Sequence, residues 1–297
     1  MKGFPDPSVV VAQVPLASLD LKGRRLAIIG GTDGLGRALA KQAAGRGAQV
    51  IVVGRTFRDE GAPGLSFVRA DLSSIKEAER LGKELPVEGL DAVVFTTGII
   101  AAKTRELTAE GLERDMAISY LSRLVALRGF APRLGSARAA GAPAPRVFVM
   151  GFPGAGELGE LDDLTGERAY DAMKVHMNTV AGNEALVLDS TRRYPNLHFF
   201  GLNPGLIKTN IRANFLGEGS LTHRVAEFFI GLFMQTPEAY ASRIVPLLFA
   251  PELEKRSGVM FGARGTAILP TEGLEGAHAA QLIGLSEKLV AGALTAR

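Results

Sequence analysis

Short apolar runs alternate with longer amphipathic stretches along most of this chain. The runs at 24–30, 49–54, 65–70, 91–97, 146–151, 197–203 and 257–263 read as strands. Stretches near 35–46, 74–84, 109–132, 168–194, 221–233, 237–249 and 277–294 read as helices. Strand followed by helix, repeated, predicts an α/β fold: a doubly wound parallel sheet of about seven strands, covered by helices on both faces. Ligands of such sheets bind beyond the carboxyl ends of the strands. Residues 1–20 read as a partly ordered arm, and 21–297 as a single domain. The Ala-, Gly- and Pro-rich stretch 135–145 reads as a mobile connection within it.

Composition narrows the function classes. A chain of 297 residues, 46% of them hydrophobic, can bury a full core without a second domain. The formal net charge of +3, from 34 basic and 31 acidic residues, is too balanced to suggest a nucleic-acid partner. Absence of cysteine excludes disulfides, thiolate catalysis and cysteine-ligated metal, and is compatible with a cytoplasmic location. Four scattered histidines without a His-x-x-x-His pair predict no metal site. The N-terminal stretch, with one Lys and a short Val9-Val10-Val11 run, is unlike a signal peptide. Leu221 to Gln235 contains Phe228, Phe229, Ile230, Leu232 and Phe233, but His223, Arg224 and Glu227 interrupt it and it is too short to span a membrane. It reads as a substrate lid, a subunit contact or a core helix.

Two motifs carry candidate chemistry. The first is the turn from Gly30 through Gly31, Thr32, Asp33, Gly34 and Leu35 to Gly36, between the strand ending at Ile29 and a helix. Glycine there permits positive φ, and lets backbone amides approach a pyrophosphate at a helix N-terminus. By itself such a turn is equally an ordinary strand-to-helix corner. The second is Tyr170 with Lys174, four apart and so on one face if helical. An ammonium beside a phenol favours phenolate, bringing a hydroxyl of pKa about 10 toward acid–base use. That spacing also arises by chance, and it is the pair of motifs in order that gives each its meaning.

Together these residues resemble the short-chain dehydrogenase/reductase family, over Leu21 to Gly262. Gly30, Gly34 and Gly36 fall on its glycine motif, with Thr32, Asp33 and Leu35 between them. Asp71 and Leu72 fall on its acidic segment after the third strand. Thr97 and Gly98 occupy the place of the segment following the fourth strand. Tyr170 and Lys174 fall on the catalytic pair. Pro204, Gly205, Ile207 and Thr209 fall on the segment that holds the nicotinamide end. The resemblance implies a single Rossmann-type domain over 21–297 that binds a nicotinamide dinucleotide, a substrate lid or subunit contact over 206–250, a small-molecule carbonyl or alcohol substrate, and assembly as a homodimer or homotetramer.

Departures from the family pattern are as informative. Phe152, between Gly151 and Pro153, stands where the family has its catalytic serine, and no serine occurs between Ser136 and Ser190. Thr165 is the one hydroxyl residue in the loop before Tyr170. Ser119 replaces the catalytic asparagine of the family's proton relay. At the end of the second strand, Gly54 supplies no acid for ribose hydroxyls. Arg55 follows with a guanidinium suited to a 2′-phosphate, and Arg58 could add to it, which predicts NADP(H). Asp33 argues mildly the other way. Two function classes follow: an NADP(H)-dependent oxidoreductase with Tyr170 as proton donor or acceptor, acting on a largely apolar molecule beside Gly151, Phe152 and Pro153; or a dinucleotide-binding sensor or scaffold that has lost turnover.

Overall fold

A computed structural model of the chain describes residues 3–205 and 235–295. Eight strands among them form one sheet in the order β3-β2-β1-β4-β5-β6-β7-β8. The strands are β1 (Arg25–Ile29), β2 (Gln49–Gly54), β3 (Leu65–Arg69), β4 (Ala92–Phe95), β5 (Arg146–Met150), β6 (His198–Leu202), β7 (Val259–Phe261) and β8 (Ala267–Ile268). All pairings are parallel except β7 with β8. The eighth strand is an addition to the expected seven. Two residues long, it has no apolar run of its own, and the arm pairs with it through a Pro5–Ile268 bridge.

Burial on both faces explains the near-continuous apolar strands. In β4 and β5 every residue is buried. One face packs on α2 (Ile75–Glu84), α4 (Ser122–Phe130), α5 (Ala172–Arg193) and the last helix, α7 (Ala277–Thr295). The other packs on α1 (Gly34–Gly45) and α6 (Pro237–Leu248). Caps set the helix starts: Ser74 Oγ accepts from Glu77 N at 3.3 Å ahead of α2, an arrangement generally worth about 1 kcal/mol.

Two helices differ from the sequence reading. The stretch 109–132 begins its helix only at α3 (Arg114–Met116), capped by the Glu113 carboxylate on Met116 N at 2.7 Å. It then widens into a π-helical turn over Ala117–Leu121 before α4. In the stretch 168–194, Asp171 accepts from Lys174 N at 2.9 Å and so caps α5, leaving Tyr170 outside the helix. The residues 237–248, expected within a lid or subunit contact, are α6. Tyr240, Ala241, Ile244, Val245 and Leu248 are wholly buried there, against the face shared with α1. Residues 206–234 of that stretch, including the expected helix 221–233, lie outside the described residues.

Chain order reverses beside β1: β2 and β3 extend the sheet one way, and β4 to β7 the other. The carboxyl ends of β1 and β4 therefore border the crevice where such sheets bind ligands.

Candidate active site

At the end of β1 the chain turns through Gly30, with φ of 95°, into α1, whose first residue Gly34 has φ of 49°. A Cβ on Gly30 would lie 2.6 Å from Thr97 N, and one on Gly36 only 2.4 Å from Gly30 O and 2.5 Å from Thr96 Oγ1. Three segments thus meet at a separation that admits no side chain. Asp33 caps α1, its carboxylate accepting from Gly34 N at 2.9 Å. The helix N-terminus, with its unpaired amides, opens at the crevice beside this turn. Next to it, the Thr97 hydroxyl is buried without a hydrogen-bond partner among the described residues. Turn, helix start and orphan hydroxyl fit a pyrophosphate-bearing dinucleotide.

Gly54 at the end of β2 has a local cause: a Cβ there would lie 2.6 Å from Thr32 Cγ2 and 2.8 Å from its Oγ1. No acidic side chain can stand at that position while Thr32 keeps its place. Arg55 beyond it is exposed. Arg58 reaches Asp33 at 3.4 Å across an exposed surface, and Arg37 is engaged bidentately by Asp59 at 2.7 and 2.6 Å. Asp71 is exposed past β3 and holds Ser73 N and Oγ at 3.1 and 2.8 Å, while the Leu72 side chain belongs to the core. Beyond β6, Gly205 N donates to Asn203 Oδ1 at 2.8 Å and Pro204 O accepts from Gln235 Nε2 at 2.8 Å. Ile207 and Thr209 lie outside the described residues.

The Tyr170–Lys174 pair is not arranged as the spacing predicts. Lys174 Nζ lies 3.1 Å from Glu160 Oε1, both side chains more than half exposed. The half-buried Tyr170 donates to Ala102 O at 2.7 Å. Its pKa is pushed up to about 12, first by burial and then by the carboxylates of Glu113, Asp115 and Glu106, with Arg105 opposing. The expectation of a phenol made acidic by Lys174 is therefore corrected: Asp171 ends the helix short of Tyr170, and Glu160 holds the ammonium. In this geometry the phenol is protonated at neutral pH and acts as a donor.

Ser119 sits on the π-helical turn, where its Oγ accepts from Ile99 N at 3.0 Å and donates to Asp115. Asp115 is fully buried, and its second oxygen lies 2.7 Å from His176 Nδ1. Further along the same helical run, buried Arg123 binds the carbonyls of Thr97 and Met150, and Asn183 Oδ1 at 2.9 Å, tying together the ends of β4 and β5. Burial lowers its pKa to about 9, against the charge of Asp115. The sequence reading did not single out Asp115, Arg123 or His176. Asp115 and Arg123 had a signal in their four-residue spacing about Ser119, a polar stripe on an otherwise apolar helical stretch; His176 had none.

Gly151 N donates to Leu202 O at 2.9 Å, which carries the Phe152 loop off the end of β5. Phe152 is half-buried and Pro153 buried. Gly154 N is held at 3.0 Å by Glu184 of α5, a buried carboxylate that also takes Thr271 N and Oγ1. Burial raises the Glu184 pKa while these donors oppose the shift. Thr165 is buried, its carbonyl accepting from Arg105 Nε at 3.2 Å.

The short chain dehydrogenase sequence model matches residues 24–142. An uncharacterized oxidoreductase of Saccharomyces cerevisiae is 47% identical over 97% of this chain and 95% of its own. A Streptomyces protein named as a candidate daunorubicin C-13 ketoreductase is 26% identical over 82% of this chain and 84% of its own. Among solved structures, an uncharacterized protein from Mycobacterium Paratuberculosis superposes with a TM-score of 0.67 at 20% identity, covering 94% of this chain and 98% of that one. The chain belongs to the short-chain dehydrogenase family of oxidoreductases, whose cofactor is NAD(H) or NADP(H). No helix among the described residues is long and apolar enough to cross a membrane.

Proposed function

We propose that this chain is an NADP(H)-dependent oxidoreductase that interconverts a carbonyl and an alcohol on a largely apolar small molecule. The observation that carries the reading is the cradle at the β1–β4 switch point, where Gly30 and Gly36 leave no room for a Cβ and Thr97 Oγ1 is orphaned. When bound, the nicotinamide supplies or accepts hydride. Gly30, Gly34 and Gly36 with the start of α1 would hold the pyrophosphate, Asp71 and Leu72 the adenine, and Thr97, Gly98, Pro204 and Gly205 the nicotinamide end. Arg55 would meet the 2′-phosphate, at a strand end where the Thr32 side chain crowds out an acid.

Tyr170 delivers its proton to the carbonyl oxygen of the substrate, which takes the place of Ala102 O as acceptor. Phe152 forms an apolar wall in place of a second donor, so flat or apolar carbonyl compounds are favoured over small polar ones. The name of the ketoreductase-like relative agrees with this class of substrate. Ser119 and Lys174 complete the catalytic set. The proposal extends to a cytoplasmic location and to assembly as a homodimer or homotetramer.

Two observations favour a second reading, a dinucleotide-binding sensor or scaffold. Lys174 is engaged by Glu160 rather than Tyr170, and the serine position holds Phe152. Titration of NADPH and NADH against wild type and Arg55→Asp tests the cofactor assignment. Tighter NADPH binding, reduced or reversed by the substitution, is expected; equal affinities in the wild type would sink it.

A further inference from the structure

The connection 151–171, between β5 and α5, carries both Phe152 and Tyr170 and contains no strand or helix. Side chains set its course, at two separate places. Ahead of Tyr170, the half-buried Asp163 carboxylate accepts from three successive amides: Glu167 N at 2.7 Å, and Arg168 N and Ala169 N each at 3.1 Å. That turn stands on α5, where buried Asn178 accepts from Glu160 N at 2.9 Å through Oδ1 and donates to Leu164 O at 3.0 Å through Nδ2. Gly166, with φ of 59°, brings the turn against the phenol, and a Cβ there would lie 3.0 Å from Tyr170 Cδ2. The Phe152 end is fastened differently. Glu184 Oε2 takes Gly154 N at 3.0 Å and Thr271 Oγ1 at 2.9 Å, and Thr271 Oγ1 takes Gly156 N at 3.2 Å. Thr271 follows β8, which the arm holds through the Pro5–Ile268 bridge and through Leu269 N on Phe4 O at 2.8 Å.

We propose that Asp163 and Asn178 are positioning residues for the Tyr170 hydroxyl, and Glu184 and Thr271 positioning residues for the Phe152 wall, so that donor and wall are set independently. The inference rests on the reading of Tyr170 as the donor in carbonyl reduction and of Phe152 as the wall beside the substrate. An irregular segment has no backbone ladder of its own, so its amides must find side-chain partners, and the partners it finds decide where it runs. A carboxylate on backbone amides makes charge-assisted hydrogen bonds, stronger than neutral ones, and Asp163 spends all of its own within the turn that ends at Tyr170. Asn178 fixes the base of that turn and also the backbone of Glu160, whose carboxylate engages Lys174. No hydrogen bond among the described residues joins this set to Glu184, Thr271, Gly154 or Gly156. Loosening one set therefore leaves the other in place.

The test is steady-state kinetics of the full-length protein with NADPH and two flat apolar carbonyl compounds, 1,4-naphthoquinone and 2-acetonaphthone. Asp163→Ala frees the three amides and is expected to lower kcat by about tenfold or more with KM within about twofold, since a donor misplaced by about 1 Å can cost about 100-fold. Asp163→Asn keeps one oxygen as an acceptor and falls between the two. Thr271→Val keeps the shape and loses the hydroxyl. It is expected to raise KM about fivefold, the worth of one neutral hydrogen bond, with kcat within about twofold. Thr271→Ser restores the hydroxyl and the wild-type KM. A general loss of structure would lower activity alike in every variant, so the opposite splits report positioning. If Asp163→Ala does not fold, Asp163→Asn carries that arm of the test. Wild-type kinetics in either arm, or the same parameter moved in both, overturns the proposal. A wild type that reduces neither compound overturns the reductase reading instead.

Discussion

Gly36 lies in the first turn of α1 and Gly45 ends it, and the two meet opposite surroundings. A Cβ on Gly36 would sit 2.4 Å from Gly30 O and 2.5 Å from Thr96 Oγ1, whereas one on Gly45 would meet nothing within 4 Å. Ordinary contact for such a carbon begins near 3.4 Å. The Gly36→Ala helix must therefore retreat by roughly 1 Å, drawing Leu39, Ala40 and Ala43 out of their packing on the sheet. Overpacking of that kind costs about 1–3 kcal/mol, against a helix-propensity gain of at most about 1 kcal/mol that Gly45→Ala receives without the clash. The two variants should then differ by about 2 kcal/mol in stability, with Gly45→Ala at or above the wild type. Urea unfolding of the cofactor-free protein reads the difference as a shift in midpoint at constant slope. NADPH titration should show at least about tenfold weaker binding for Gly36→Ala, since 1.4 kcal/mol is a factor of ten and the retreat moves the amides that would meet the pyrophosphate. Equal urea midpoints and wild-type affinity in Gly36→Ala would refute the cradle argument.

Three further outcomes follow. Gly54→Asp alone should destabilise the protein, and Thr32→Ala should recover much of the loss, because the barrier to an acid at this position is the Thr32 side chain; a double-mutant cycle with no coupling energy would contradict this. With its pKa at about 12, Tyr170 should show no ionisation in carbon-13 tyrosine spectra up to pH 10, where a Lys174-activated phenol would be mostly phenolate. Phe152→Ser should raise turnover of small ketones relative to bulky ones in steady-state kinetics, and no gain on either would remove Phe152 from the substrate wall.

Most of the fold was legible because strands buried on both faces must be apolar throughout. The expected strand ranges at 24–30, 49–54 and 146–151 enclose β1, β2 and β5 within a residue at each end. What escaped was set by side chains in three dimensions. Asp171 reads as one more residue of a helical stretch until its carboxylate is seen capping Lys174 N, and that one hydrogen bond separates Tyr170 from the helix. Charged residues read as surface, so Asp115, Arg123 and Glu184, all buried, were passed over although they hold the walls of the crevice. Gly54 was legible as the absence of an acid, but its cause, contact with Thr32, lies between residues far apart in sequence. The two-residue β8 is held by partners on both sides rather than by its own pattern.

The central claim is that Tyr170 and a bound NADPH reduce a carbonyl together. The direct measurement supplies NADPH with a panel of flat, apolar ketones, aldehydes and quinones, and follows cofactor consumed and alcohol formed for wild type and Tyr170→Phe. The account predicts one alcohol per NADPH with at least one substrate, and a loss of roughly 100-fold or more in turnover on removing the proton donor, with NADPH affinity nearly unchanged. Undiminished turnover by Tyr170→Phe, or tight NADPH binding with no alcohol formed from any compound in the panel, would contradict it.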